Sequence, residues 1–227
     1  MTLFGIKKFM KLRGSQNQSI HAKTLTEVIV VVFILGCLLA ILILELSSAK
    51  RPRHRFNCIN CLKEVGLAYN IWSGDNNGQF PFHVSVTNGG AMESVATGNV
   101  VAVFQCMSNE LSTPIILACP DDHAHSAATN FLVNFTAKNL SYFAGMDATL
   151  TQPQSILSGD ANLVINDQPA PSGVLNLAGQ RTTWSKDRHR TSGNLGMADG
   201  SCAMLTVRPG QTLVPDVIIC TNRWAIP

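Results

Sequence analysis

The stretch HAKTLTEVIVVVFILGCLLAILILEL, residues 21–46, decides the architecture. Within it, Val28 to Leu44 form an unbroken run of 17 residues without a charge or a side-chain amide. At a helical rise of about 1.5 Å per residue the run is about 26 Å long, near the lower limit for crossing a hydrocarbon core of roughly 30 Å. It ends in Glu45-Leu46-Ser47-Ser48-Ala49. A secretory signal has a shorter apolar region before its small cleavage-site residues, and the serines and alanine here keep that reading as the alternative to a retained span.

The charge of the chain divides around this run. Residues 1–22 hold Lys7, Lys8, Lys11 and Arg13 and no acid, so the formal net charge of +3 belongs to the leader. Without those residues 13 basic side chains meet 14 acidic ones, and beyond residue 55 the balance is 8 against 12. An acidic body argues against a nucleic-acid surface on the globular part. Five basic residues precede the span, counting Lys23, and four follow closely (Lys50, Arg51, Arg53, Arg55), so the positive-inside rule selects neither orientation. At 46% hydrophobic and 14% charged, the 227 residues fit one ordered domain with an appendage rather than a disordered chain.

Glu27 stands one residue before the apolar run. Drawn to the centre of a bilayer a carboxylate costs roughly 2.5–3.5 kcal/mol, and less at the interface, so it faces headgroups or meets a cation. A short basic leader, a small residue and a TLxE pattern leading into an apolar helix resemble the amino terminus of type IV prepilins and type II secretion pseudopilins. In that pattern glycine is followed by Phe-Thr-Leu, a hydrophobic residue and Glu. Here Ala22 takes the glycine position and Lys23 the phenylalanine position, followed by Thr24, Leu25, Thr26 and Glu27.

The resemblance implies an α+β, pilin-like fold, with a long, partly transmembrane amino-terminal helix packed on an antiparallel β-sheet domain. It implies cleavage between Ala22 and Lys23 by a prepilin peptidase/methyltransferase, N-methylation, and assembly through Glu27, which would meet the terminal ammonium of a neighbouring subunit. The implied partners are copies of the chain, related pilin-like subunits and an inner-membrane assembly platform. The implied location is the bacterial inner membrane, single pass, with the amino terminus cytoplasmic. Lys23 and Glu27 lie at i and i+4, so an internal pair competes with the intermolecular one and predicts an altered assembly register. Translation from Met1 or from Met10 would leave the same mature chain.

Past the span, Pro52 predicts a kink or break. The helix is then expected to resume as far as Gly74, because Cys58, Cys61, Leu62, Val65, Ala68, Tyr69 and Trp72 follow an i, i+3, i+4, i+7 pattern. The organisation is thus a leader over 1–22, a helix over 23–74 and a globular domain over 75–227. Cys58 and Cys61 form a C-x2-C on the apolar stripe, which reads as core packing or a structural disulfide, with a redox motif and half a zinc site as the alternatives. With Cys106, Cys119, Cys202 and Cys220 six cysteines lie beyond the span, and an extracytoplasmic setting permits disulfides among them without ranking the pairings. Cys37 reads as an apolar filler of the span.

Short strands are expected over Val100–Phe104, Pro114–Ala118, Asn130–Phe135, Leu140–Ala144, Gln154–Gly159, Leu163–Ile165, Gln180–Trp184, Leu195–Ala198, Cys202–Val207 and Val217–Cys220. Asp199-Gly200 is a two-residue turn signal, which predicts pairs Ala198–Ser201, Met197–Cys202 and Leu195–Met204. His189, nine residues and Asp199-Gly200 also resemble the H-x9-DG segment of planctomycete and verrucomicrobial prepilin-like proteins. CINCLKEVGLAYNIWSGDNNGQFP, ACPDD (Ala118–Asp122) and LSGDANL (Leu157–Leu163) resemble the same group.

His189 has no nucleophile signature beside it, so it reads as a loop-bonding histidine rather than a general base, and no enzymatic function is expected. Asp121, Asp122, His123 and His125 cluster as DDHAH, a solvated loop or a weak metal candidate. A structural calcium, as in major pseudopilins, is the only cofactor the resemblance suggests, and calcium prefers more oxygen than this run supplies. Two functions remain: a filament subunit, and a membrane-tethered module that binds a ligand or does thiol chemistry.

Overall fold

The computed structural model describes residues 25–48, 50–189, 192–207, 211–213 and 223–227. Ala22, Lys23 and Cys220, and the strand expected over Val217–Cys220, lie outside them. The chain forms two units, divided at Ser48.

The first unit contributes helix α1 (Leu25–Ser48), with Glu27 in its first turn. From Leu25 to Ile43 its side chains are exposed on every face, and one 19-residue stretch is long and apolar enough to cross a membrane. A helix apolar all round needs an apolar medium, either lipid or other helices.

The second unit begins with helix α2 (Lys50–Asp75). The kink expected near Pro52 turns on Ala49, which lies outside the described residues. Pro52 itself lies within α2. Cys58, Leu62, Val65, Ala68, Tyr69 and Trp72 are buried, as their spacing requires, while Leu67 and Ile71 face outward.

The strands are β1 (Tyr142–Gly145), β2 (Ile156–Asp160), β3 (Leu163–Ile165), β4 (Gln168–Pro169), β5 (Gly173–Asn176), β6 (Thr182–Trp184), β7 (Ser192–Met197), β8 (Cys202–Thr206) and β9 (Arg223–Ile226). Six make an antiparallel sheet in the order β5-β9-β1-β2-β7-β8, and three make a second in the order β4-β3-β6. The class is α+β. Alternation along the strands sends Ala144, Leu157 and Ala225 to the core shared with α2, and Phe143, Ile156, Leu195 and Trp224 to a second core with Leu163 and Trp184. Phe143 stacks on Trp224 with centroids 4.1 Å apart. Trp184 lies flat over Gly193, where a Cβ would come within 2.1 Å of the indole.

Three expected strands take other forms. Val100–Phe104 is instead part of helix α4 (Val101–Cys106), after the short α3 (Met92–Ala96) and before α5 (Ser108–Leu111). Val100, Val103, Phe104, Met107 and Leu111 are buried at helical spacing, a period that the β-branched residues obscure. Pro114–Ala118 contains a 3-10 turn (Pro114–Leu117) begun by proline and by Thr113 as cap. Asn130–Phe135 forms bends, with Phe131 and Phe135 packed edge-on at 5.3 Å and Leu132 exposed. Strands β4, β5 and β9 carry no clear alternation.

The β7–β8 hairpin forms at Asp199-Gly200, but one residue out of the expected register. Gly196 pairs with Cys202, Leu195 with Ala203 and Asn194 with Met204, in place of Met197–Cys202 and Leu195–Met204. Gly200 N–H donates to Met197 O at 2.9 Å, Met197 N–H donates to Ser201 O at 2.8 Å, and Gly200 has φ +81. This is a three-residue loop with a glycine bulge rather than a two-residue turn. A slip of one residue moves Cys202 and Met204 from the face of Met197 and Leu195 to that of Gly196 and Asn194, so Cys202 joins Gly196 beside Leu62 of α2 while Leu195 packs in the core of Trp184.

Candidate functional site

The antiparallel pairing of β2 with β7, in which Gly159 faces Leu195, places Asn194 beside Asp160, the last residue of β2, and a buried polar node is built around that pair. Asp160 and Asn194 are both fully buried. Asp160 Oδ2 accepts from the Asn194 backbone N–H at 2.8 Å and from Asn194 Nδ2 at 3.1 Å, while Asp160 O accepts from Trp184 Nε1 at 3.2 Å. Asp160 Oδ1 is buried without a hydrogen-bond partner. Burial raises this carboxyl above its ordinary range, against the opposing pull of His189, Asn194 and Arg188.

His189 and Arg188 enter from the turn that precedes β7. His189 places Nε2 at 3.6 Å from Cys119 Sγ and 3.8 Å from Asp160 Oδ2, and Nδ1 at 3.1 Å from Asp121 Oδ2. Cys119 is bonded to Cys58 of α2 across a Cα–Cα distance of 5.4 Å. Tyr142, paired with Asp160 across β1 and β2, donates its hydroxyl to Cys58 O at 3.4 Å.

Asp122 forms the second half of the node. Its Oδ2 accepts from Ser141 Oγ at 2.7 Å and His125 Nδ1 at 2.7 Å and pairs with Arg188, while Oδ1 accepts from Ala124 N–H at 3.0 Å. A carboxylate acceptor fixes the proton of His125 on Nδ1. Ser141 Oγ also accepts from Cys119 N–H at 2.9 Å, and Arg188 donates to Ser141 O at 2.7 Å. Burial pushes the Asp122 carboxyl up, but His125, Arg188 and Ser141 outweigh it and hold the group at about 2. Burial lowers Arg188, opposed by Asp122 and Asp160. Both side chains are nearly inaccessible, at 4% and 3% exposure, so the pair is an internal one.

The node therefore gathers Cys58 from CINC, Cys119, Asp121 and Asp122 from ACPDD, Asp160 from LSGDANL and His189 from the H-x9-DG segment. The other end of that segment lies elsewhere. Asp199 Oδ1 accepts from Ser201 N–H at 2.8 Å and Oδ2 from Gln154 Nε2 at 3.0 Å, and a Cβ on Gly66 of α2 would lie 3.6 Å from Gly200 Cα. The spacing is set by one strand: β7 runs from the node to the turn, and its six residues span roughly 17–20 Å.

Of the DDHAH residues, His123 is exposed and apart from the node. The oxygens of Asp122 are occupied by donors, so these residues do not form an oxygen cage for calcium. The C-x2-C cysteines separate: Cys58 bonds Cys119, while Cys61 joins Cys202 at the edge of an apolar cluster with Leu62. Cys61, Cys106 and Cys202 are free thiols. Burial, with Glu64, raises Cys61; burial, with Glu110, pushes Cys106 up to about 12; and burial pushes Cys202 up to about 11. Held as thiols at neutral pH, they are poor nucleophiles. Glu27 lies in α1, in the other unit.

Arg188, Ser141 and Asn194 escaped the sequence reading. Arg188 sits in the polar run KDRHR, which reads as a solvated loop, and Ser141 has no local signal. The lone acid of LSGDANL, at the end of an apolar strand, was the available sign for Asp160. Compared with protein-family models, with characterised proteins and with solved structures, the chain matches none.

Proposed function

We propose that this chain is a structural subunit of a type IV pilus-like or type II secretion filament, anchored by α1 and released from its leader before assembly. The observation that carries the reading is the junction at Ala22 to Val28: a basic leader, a small residue and a carboxylate at the edge of an apolar helix exposed on every face. Such a helix satisfies its surface equally in lipid and among its own copies, so one segment serves as anchor and as filament core. Glu27 then needs a cation, and the amino terminus freed by cleavage before Lys23 supplies one on a neighbouring subunit. A pilin-like arrangement, with the amino terminus cytoplasmic and the second unit outside, follows from the same reading. So do the prepilin peptidase/methyltransferase and the inner-membrane platform as partners.

Intact-mass spectrometry of the membrane-extracted protein tests it. The expected mass lacks residues 1–22 and carries one added methyl group. An uncut chain that remains in the membrane overturns the proposal in favour of a tethered extracytoplasmic module.

A further inference from the structure

The node around His189 has a donor set that the filament reading does not use. Cys58 Sγ, Cys119 Sγ and a ring nitrogen of His189 lie within 4.8 Å of one another, and all three residues are buried. With metal–ligand bonds of about 2.0 Å to nitrogen or oxygen and about 2.3 Å to sulfur, a tetrahedral zinc site has N–S edges of about 3.5 Å, N–O edges of about 3.3 Å and an S–S edge of about 3.8 Å. The Cys119 Sγ to His189 Nε2 distance of 3.6 Å already matches, and the 3.8 Å from Nε2 to Asp160 Oδ2 is within a small side-chain rotation. The sulfurs must part, which follows once they are thiols, and the Asp160 carboxylate must close on them, because it lies outside the group that falls within 4.8 Å.

Two further observations point to a cation. Asp160 is fully buried, and its Oδ1 has no hydrogen-bond partner while Oδ2 is held by Asn194, so a turn of the carboxylate about its last bond offers the unused lone pairs of Oδ1 to a cation. His189 sets its other nitrogen, Nδ1, 3.1 Å from Asp121 Oδ2, which is the carboxylate–histidine arrangement that orients a metal-bound imidazole and fixes its tautomer.

We propose that the dithiol form of the chain binds one Zn²⁺ through Cys58, Cys119, His189 Nε2 and Asp160, with Asp121 as the orienting carboxylate. Binding forms two Zn–S bonds and releases the two thiol protons. The dithiol is the state in which the cysteines are synthesised. It is regenerated from the disulfide by a small-molecule dithiol, which supplies two electrons and two protons and itself becomes a disulfide. The metal and the disulfide are alternative closures of one loop between α2 and the ACPDD turn, so the second unit keeps its fold in either state.

The test is titration of the full-length chain in detergent, reduced and kept anaerobic, with Co²⁺ as a spectroscopic probe and then with Zn²⁺ as competitor. The expected result is one Co²⁺ per chain, with the ligand-field bands of a tetrahedral site and a sulfur-to-cobalt charge-transfer band, all abolished by Zn²⁺. Cys61→Ser should retain both features, Cys119→Ser should lose them, and Asp121→Asn should weaken binding by about 10–100-fold. Near-ultraviolet circular dichroism on each variant verifies folding. Absence of the bands from the folded dithiol chain overturns the proposal. So does their survival in Cys119→Ser, their loss in folded Cys61→Ser, or an unchanged affinity in Asp121→Asn.

Discussion

Replacing Arg188 with methionine keeps most of the side-chain volume and removes the charge, and it should destabilise the second unit by about 3 kcal/mol at neutral pH, at the lower end of the range for breaking a buried pair. Two parts of the structure set that figure. The Asp122 carboxyl, held at about 2 against an ordinary 3.8, contributes roughly 2 kcal/mol when ionised, a share that Arg188 holds together with His125 and Ser141. The Ser141 carbonyl, which accepts from Arg188 at 2.7 Å, would lose that donor at a cost of about 1–3 kcal/mol. In a unit of this size the loss corresponds to a fall in Tm of roughly 6–12 °C.

The pH dependence has a definite sign. A depressed carboxyl contributes stability that is present above its unfolded value and is lost as pH falls through the folded one, so the wild-type contribution fades between about pH 4 and pH 2. In Arg188→Met the carboxyl is released upward and the acid loss starts at higher pH. Below pH 2 Asp122 is neutral in both proteins and the wild type is left with Arg188 as a buried charge without its partner, so the difference between the two shrinks. Urea unfolding followed by tryptophan fluorescence suits the measurement, since Trp72, Trp184 and Trp224 are all buried. A loss below about 1 kcal/mol at pH 7, or the same loss at pH 7 and pH 2, would refute the assignment of Arg188 as the internal partner of Asp122.

Asp160 should behave oppositely: because burial raises its carboxyl, Asp160→Asn is expected to leave stability at pH 7 unchanged or higher, and to lose that advantage as pH falls and the wild-type acid takes up its proton, as read from thermal melts at pH 7 and pH 4. Cys58→Ser opens a loop with a sequence separation of 61 residues and should cost about 4 kcal/mol in the oxidised protein on the chain-entropy estimate, with no loss when the wild type is compared after reduction in the presence of a chelator. Gly193→Ala drives a methyl group into the Trp184 indole and should cost about 1–3 kcal/mol, accompanied by a changed Trp184 signal in near-ultraviolet circular dichroism.

Much of the helical part was legible because its signals are local. The run from Val28 to Leu44 carries its own length and polarity, and the stripe from Cys58 to Trp72 carries its own period. Asp199-Gly200 announces a hairpin, since Gly200 adopts a positive φ that other residues resist. Where apolar residues were dense, as from Val100 to Leu111, composition masked the period and a helix read as a strand. The candidate site was legible only in pieces. CINC, ACPDD, LSGDANL and His189 were each visible, but nothing in their spacing says that they meet.

The sequence alone therefore determined the apolar helix, the amphipathic helix that follows it, the α+β class and the position of the last hairpin, all of which depend on residues a few places apart. Tertiary structure decided the rest. The hairpin register turned on a single bulge residue, which put Cys202 and Met204 opposite Gly196 and Asn194, while the pairing of β2 with β7 set Asn194 beside Asp160 and Leu195 in the other core. The partner of Cys58 is 61 residues away and that of Asp122 comes from a loop after β6, because a buried charge or sulfur is satisfied by whatever the packed sheet brings beside it.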